Sequence, residues 1–218
     1  MKIAFFGDSV TEGCFEIIRI NGKLEVLRDY ANCYRTYLEQ KLTKTFPEKG
    51  LEFCNFGLSG RDTTEAVKVL SDLEEAKPDI VIMCFGLNDF NNRNVELFKT
   101  NLTTIYERLL SCGCKVIFMT HNMANEYVRF DMHEELREFA ESCARCQQEG
   151  VVDAYVEAEK EVAAKFNVPV IDAYKTWKEL NHYGIDTTSL LCNGINHPNR
   201  KMHMLFADML YACIEKMI

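Results

Sequence analysis

Ser9 stands where a short apolar run, Ile3 to Phe6, breaks on Gly7 and Asp8. A buried strand that ends at a glycine turns the next side chains out at the carboxyl edge of a parallel sheet, where open α/β folds bind ligands. That makes Ser9 a candidate nucleophile. A serine hydroxyl is weak until a base takes its proton, and the oxyanion formed on attack needs donors aimed at it. Three further segments offer such groups. The run from Asn55 through Gly60 to Arg61 is a glycine-containing turn leading into a helix, which leaves backbone N–H groups free and lets a ligand approach. Gly86-Leu87-Asn88-Asp89 brings a side-chain amide to the same edge, and Asn193 to Pro198 carries His197 just ahead of the last helix. Singly, each has an ordinary explanation as a turn glycine, a loop cap or a helix-start residue. Four such loops with complementary chemistry, in this order, are far more specific.

The elements that must position these residues are legible as alternating patterns. Apolar runs at Ile3 to Phe6, Leu51 to Asn55, Ile80 to Phe85, Val116 to Met119 and Val168 to Ile171 predict strands. Helical patterns separate them: Tyr30 to Phe46, Asp62 to Ala76 behind an Asp-x-x-Glu start, a helix after Asn94 closed by Gly113, Asp153 to Phe166, and a final stripe from Met202 to Cys213. Strands alternating with helices imply a parallel, doubly wound sheet in one domain spanning residues 1–218. Two segments exceed this scheme. Alternating residues on either side of Asn21-Gly22 predict a β-hairpin, and Asp131 to Glu149 reads as an extra helix above the ligand edge. Their apolar residues, among them Ile18, Ile20, Leu24, Val26, Phe130, Leu136 and Phe139, either wall a pocket or form an interface with a second copy of the chain.

Composition narrows the function. The 218 residues are 47% hydrophobic and carry a net charge of −8, with no cluster of Lys and Arg, which argues against nucleic acid and anionic membrane surfaces. About four apolar residues precede Asp8, short of a secretory signal core, and no run approaches the roughly 20 of a membrane span, so a soluble cytoplasmic protein is expected. The ten cysteines sit within apolar runs and read as reduced packing residues. Cys143 and Cys146 form a C-x-x-C without a second pair at zinc spacing.

Gly7-Asp8-Ser9, Asn55 through Gly60, Gly86 through Asp89 and His197-Pro198 together resemble the sequence blocks of the SGNH (GDSL-type) hydrolase superfamily, and the resemblance spans nearly the whole chain. It implies a three-layer α/β/α, flavodoxin-like fold with about five parallel strands. It further implies that Ser9 attacks an ester carbonyl, that His197 is the general base, and that the N–H of Ser9, the N–H of Gly60 and the amide of Asn88 form the oxyanion hole, with no metal or other cofactor. The family commonly has Asp three residues before the histidine, where this chain has Gly194. A main-chain carbonyl or Asn193 is then the expected partner of the His197 ring, with Asp186 the alternative. His121 ends a strand on the same edge and is a candidate substrate contact, against a loop hydrogen bond. The reading is a serine esterase for small acyl esters, acetyl foremost, of a carbohydrate or other polar metabolite. Its rivals are a lysophospholipase or thioesterase of the same fold, and a non-catalytic ligand-binding module.

Overall fold

The computed structural model describes residues 1–218. Five parallel strands form the central sheet: β1 (Lys2–Gly7), β4 (Glu52–Gly57), β5 (Ile80–Cys84), β6 (Lys115–Met119) and β7 (Val170–Ile171), in the order β4-β1-β5-β6-β7. The chain leaves β1 towards β4 on one side and then fills β5, β6 and β7 on the other. The topological switch point therefore lies at the carboxyl ends of β1 and β5, the expected crevice of a flavodoxin-like sheet. The central strands are continuous apolar runs because both of their faces are covered: Ile3 to Phe6 and Ile80 to Cys84 are buried, whereas the edge strand β4 has only half-buried and exposed residues. On the helical layers, α2 (Tyr34–Thr45) packs on α9 (Arg200–Ile214), while α5 (Val95–Ser111) packs on α3 (Thr63–Lys68) and α7 (Val151–Lys165). None of the helices is long and apolar enough to cross a membrane.

Both extra segments exist. The hairpin pairs β2 (Cys14–Ile20) with β3 (Lys23–Arg28), and Asn21 and Gly22 both take the positive φ their turn requires. The added helix, α6 (Glu134–Gln148), starts later than the pattern suggests. Asp131 does not cap it, because its carboxylate is held by Arg129 at 2.9 Å and 2.5 Å. Asp62 and Asn94 do cap their helices, accepting from the N–H groups of Glu65 and Leu97.

Other boundaries depart from the sequence reading. The pattern from Asp62 to Ala76 divides at Val69 into α3 and α4 (Leu70–Glu75), and the segment from Tyr30 opens with a 3-10 turn before α2. A short helix, α8 (Ala173–His182), follows β7 without a counterpart among the predicted elements, and it buries Trp177 completely. All ten cysteines are free, and six are buried, but Cys112 is exposed at the end of α5.

Candidate active site

β1 ends at Gly7, and Ser9 opens a single helical turn, α1 (Ser9–Glu12). Asp8 caps that turn by accepting from the Val10 N–H at 2.9 Å, which fixes the backbone from which Ser9 projects. Ser9 Oγ lies 3.0 Å from His197 Nε2. On the other side of the ring, His197 Nδ1 lies 2.7 Å from the backbone oxygen of Phe15, the second residue of β2. A carbonyl can only accept, so Nδ1 carries the proton and Nε2 is left as the acceptor for the serine O–H. Burial pulls the His197 pKa below the ordinary histidine value, partly opposed by the Phe15 carbonyl and by the charges of Glu12 and Glu16. Neutral imidazole, the form a general base needs, is thereby favoured.

Neither side chain expected to orient the ring does so. Asn193 Oδ1 accepts from the N–H groups of Ile195, Asn196 and His197 at 2.9–3.0 Å, so it clamps the loop that carries the histidine rather than the imidazole. Asp186 is engaged by the Tyr127 hydroxyl at 2.6 Å and by Ser189. At Gly194, φ is +69°, and an added Cβ would meet Arg129 Cδ at 2.8 Å and Met132 Cε at 3.2 Å. A carboxylate-bearing residue at that position would be strained and crowded. The group that stands behind the ring is the Phe15 carbonyl. Sequence could not single out Phe15, because every residue carries a carbonyl and only the hairpin's path selects this one.

Three loops are tied together around Ser9. The Leu58 N–H donates to the Gly7 carbonyl at 3.1 Å, the Ser59 N–H donates to Glu12 Oε2 at 2.6 Å, and Asn88 Nδ2 donates to the Arg61 carbonyl at 2.9 Å. The N–H groups of Ser9 and Gly60 donate to no protein acceptor. Asp89 Oδ1 anchors the Asn88 loop to the start of α3, accepting from the Thr63 N–H at 2.9 Å and the Thr63 hydroxyl at 2.5 Å. Ser9, Gly60, Asn88 and His197 thus lie on linked loops at one sheet edge, where a hydroxyl faces an imidazole, the N–H groups of Ser9 and Gly60 are free, and the Asn88 amide is tied to Arg61 through one bond. Glu12 and Asp89 are structural members that the sequence reading passed over.

His121 is buried and makes the loop hydrogen bond that was the alternative to a substrate contact. It is 1% exposed, its Nδ1 lies 2.8 Å from the Asn122 carbonyl, and its other nitrogen faces the interior.

Residues 5–205 match the model of the GDSL-like lipase/acylhydrolase family. The chain belongs to this family. It is accordingly a carboxylic ester hydrolase. The fold is shared with an acetyl xylan esterase, AlAXEase, with a TM-score of 0.71 and 19% identity over 98% of this chain and 100% of that one. Axe2, an acetylxylan esterase from Geobacillus stearothermophilus, aligns with a TM-score of 0.70 and 19% identity over 97% and 92% of the two chains. LAE5, an α/β hydrolase from the metagenome of Lake Arreo, Spain, gives 0.69 and 20% over 98% and 94%. Comparison with curated proteins gives no match.

Proposed function

We propose that this acylhydrolase is a serine esterase that removes small acyl groups, acetyl foremost, from a carbohydrate or another polar metabolite, with residues 1–218 acting as one hydrolase domain. The observation that carries the reading is the Ser9 Oγ to His197 Nε2 contact of 3.0 Å with the opposite ring nitrogen held by Phe15. His197 Nε2 takes the Ser9 proton as Oγ attacks the ester carbonyl. The oxyanion is received by the N–H groups of Ser9 and Gly60 and by the Asn88 amide. His197 then returns the proton to the departing alcohol, and a water activated by the same nitrogen hydrolyses the acyl-enzyme. The Phe15 carbonyl dipole, with Glu12 and Glu16 nearby, stabilises the transient imidazolium in place of a triad carboxylate.

Acetyl-carbohydrate specificity draws support from the named activities of the fold neighbours and from the space beside the His197 loop. There a pocket of about 130 Å³ lies between the hairpin and the segment before α6, lined by Ile17, Met132 and Leu136 together with Arg129, Asp131 and Asn193. Ser9, Gly60, Asn88 and His197 do not line it, but its position beside the His197 loop and its polar lining suit a small polar portion of the substrate. Turnover of p-nitrophenyl acetate, butyrate and octanoate by the wild type beside Ser9→Ala tests the reading. Activity that falls with chain length and vanishes in the variant is expected. Activity that rises with chain length would favour the lysophospholipase or thioesterase, and no turnover of any ester would favour a binding module.

A further inference from the structure

A second pair of ionisable side chains lies directly beneath the Asn88 loop, and the ester chemistry does not use it. Glu159, on the inner face of α7, and His121, at the end of β6, both have side chains with no exposure, and His121 Nε2 stands 3.5 Å from Glu159 Oε1. His121 Nε2 and both Glu159 carboxyl oxygens have no other partner. Because the Asn122 carbonyl fixes the proton on His121 Nδ1, Nε2 is an acceptor, and only a protonated carboxyl can satisfy it. At 3.5 Å the two groups are in contact but not hydrogen-bonded; a small approach would close one O–H···N bond between a neutral acid and a neutral imidazole, pairing two buried groups with no net charge. An ion pair here would have to offset the desolvation of two charges without further hydrogen bonds. Burial and the nearby carboxylates Asp89, Asp172 and Asp8 hold the Glu159 pKa well above the carboxylate range, and burial pulls His121 down to about 4.

The pair touches the oxyanion loop at its first residue. Gly86 has φ +119°, and a Cβ there would lie 2.3 Å from His121 Cδ2 and 2.6 Å from Glu159 Oε1. The loop backbone therefore rests on the pair. From Gly86 the turn is short: its carbonyl accepts from the N–H groups of Asp89 and Phe90, both at 3.1 Å, so Asn88 lies inside a closed turn whose base is Gly86. Asp89 holds the far side of that turn to Thr63. Asn88 itself is tied to the Arg61 carbonyl, and the near side, at Gly86, rests on the His121–Glu159 floor.

We propose that Glu159 and His121 are positioning residues for the oxyanion hole, a neutral pair on which the Gly86 to Asp89 turn sits and which sets the placement of the Asn88 amide. The inference rests on the esterase reading and on Asn88 being an oxyanion donor. Donor geometry matters steeply, since a shift of about 1 Å far from the chemistry can cost as much as ~100-fold in rate.

The test is a mutant cycle read by kcat and KM on p-nitrophenyl acetate, with urea unfolding to establish that each variant is folded. Glu159→Leu should lower kcat roughly 10- to 100-fold with KM little changed, because the loss is felt only where the oxyanion develops. Glu159→Gln should restore most of kcat, since its amide N–H can donate to His121 Nε2 as the acid O–H can. In an Asn88→Ala background, Glu159→Leu should cost little more, because the group it positions is gone. Full additivity with Asn88→Ala, an unchanged kcat in folded Glu159→Leu, or a Gln variant as damaged as the Leu variant each overturns the proposal. An Asn88→Ala enzyme with wild-type kcat removes the oxyanion reading itself, and the proposal with it. Should Glu159→Leu not fold, the imidazole 15N spectrum of the wild type decides: a neutral His121 protonated at Nδ1 throughout the pH range of activity is expected, and an imidazolium overturns the pair.

Discussion

At the scale of single residues, the site differs from a full triad in what faces the back of the imidazole. A carbonyl dipole stabilises an imidazolium less than a carboxylate does, and burial of His197 acts in the same direction. On the proposed mechanism His197 must be neutral to act as the base, so kcat/KM falls as pH drops through the His197 pKa, and a lowered pKa moves that fall to the acid side. The acid limb of the kcat/KM profile on p-nitrophenyl acetate should have its midpoint below the ordinary histidine value of about 6.5. A midpoint near 8 would mean that a carboxylate supports the ring after all. Restoring the family's acid should not help: Gly194→Asp places a non-glycine residue at φ +69° against Arg129, and unfolding measurements should show a loss of about 1–3 kcal/mol with no gain in kcat. Asn88→Ala should slow kcat by about 10²–10³-fold at nearly constant KM, and Asn88→Asp at least as much, because the amide acts on charge that appears only in the transition state. Retention of wild-type kcat by both would leave Asn88 as the tie to the Arg61 carbonyl and nothing more.

At the scale of elements, the hairpin and the segment leading into α6 meet each other and do two different things. The hairpin's first strand supplies the Phe15 carbonyl, and two residues later Ile17 lines the pocket that Met132 and Leu136 close from the other side. Arg19 and Glu135 join the two insertions at 2.7 Å, but both side chains are substantially exposed, so this contact adds little stability. The apolar residues divide between these surroundings. Leu136 faces the pocket, whereas Phe130 is 97% exposed and Ile18, Ile20 and Phe139 are partly exposed. Leu136→Ala should therefore widen acceptance towards longer acyl chains, while Phe130→Ser should leave the chain-length profile as it is. Matching profiles in the wild type and both variants would mean that the pocket does not hold the acyl group, and sedimentation of Phe130→Ser reports whether that ring joins two copies of the chain.

At the scale of the whole molecule, the core buries titratable groups of both kinds, and they pull stability in opposite directions as pH changes. His203 on α9 is fully buried, accepts from the Tyr34 N–H at 3.0 Å through Nδ1, and is pushed down to about 3, chiefly by burial. An unfolded chain takes up that proton at an ordinary pKa near 6.5, so stability is lost on acidification from about pH 6.5 towards about pH 3. Asp8 and Asp89, raised to about 7 and about 6 by burial, act oppositely, losing stability as pH rises through the range between the ordinary aspartate value and those values. The wild-type curve mixes the two, and a difference separates them. His203→Asn, whose side-chain oxygen can still accept from Tyr34, should flatten the acid side of the stability curve by up to one proton, about 1.4 kcal/mol per pH unit. Urea titrations of both proteins at a series of acidic pH values measure it, and parallel curves would place the histidine proton elsewhere.

The sequence by itself determined the five sheet strands, most of the helices between them, the hairpin turn and the four edge loops, because these depend on local signals: apolar runs, caps, turn residues and short blocks around Ser9, Gly60, Asn88 and His197. Asp62 and Asn94 cap where their side chains alone suggested, and Asn21-Gly22 turns where both residues tolerate positive φ. Tertiary structure alone decided which group faces the far side of the His197 ring. That contact joins residues 182 positions apart through a backbone carbonyl, a group that no residue type advertises. The same holds for His121, whose place at a strand end was legible, while its direction, inward onto Glu159 of a later helix, was set by how α7 packs beneath the Gly86 turn. Residue types specify what chemistry is available locally, and only the packed sheet and its crossovers specify which distant partner each group meets.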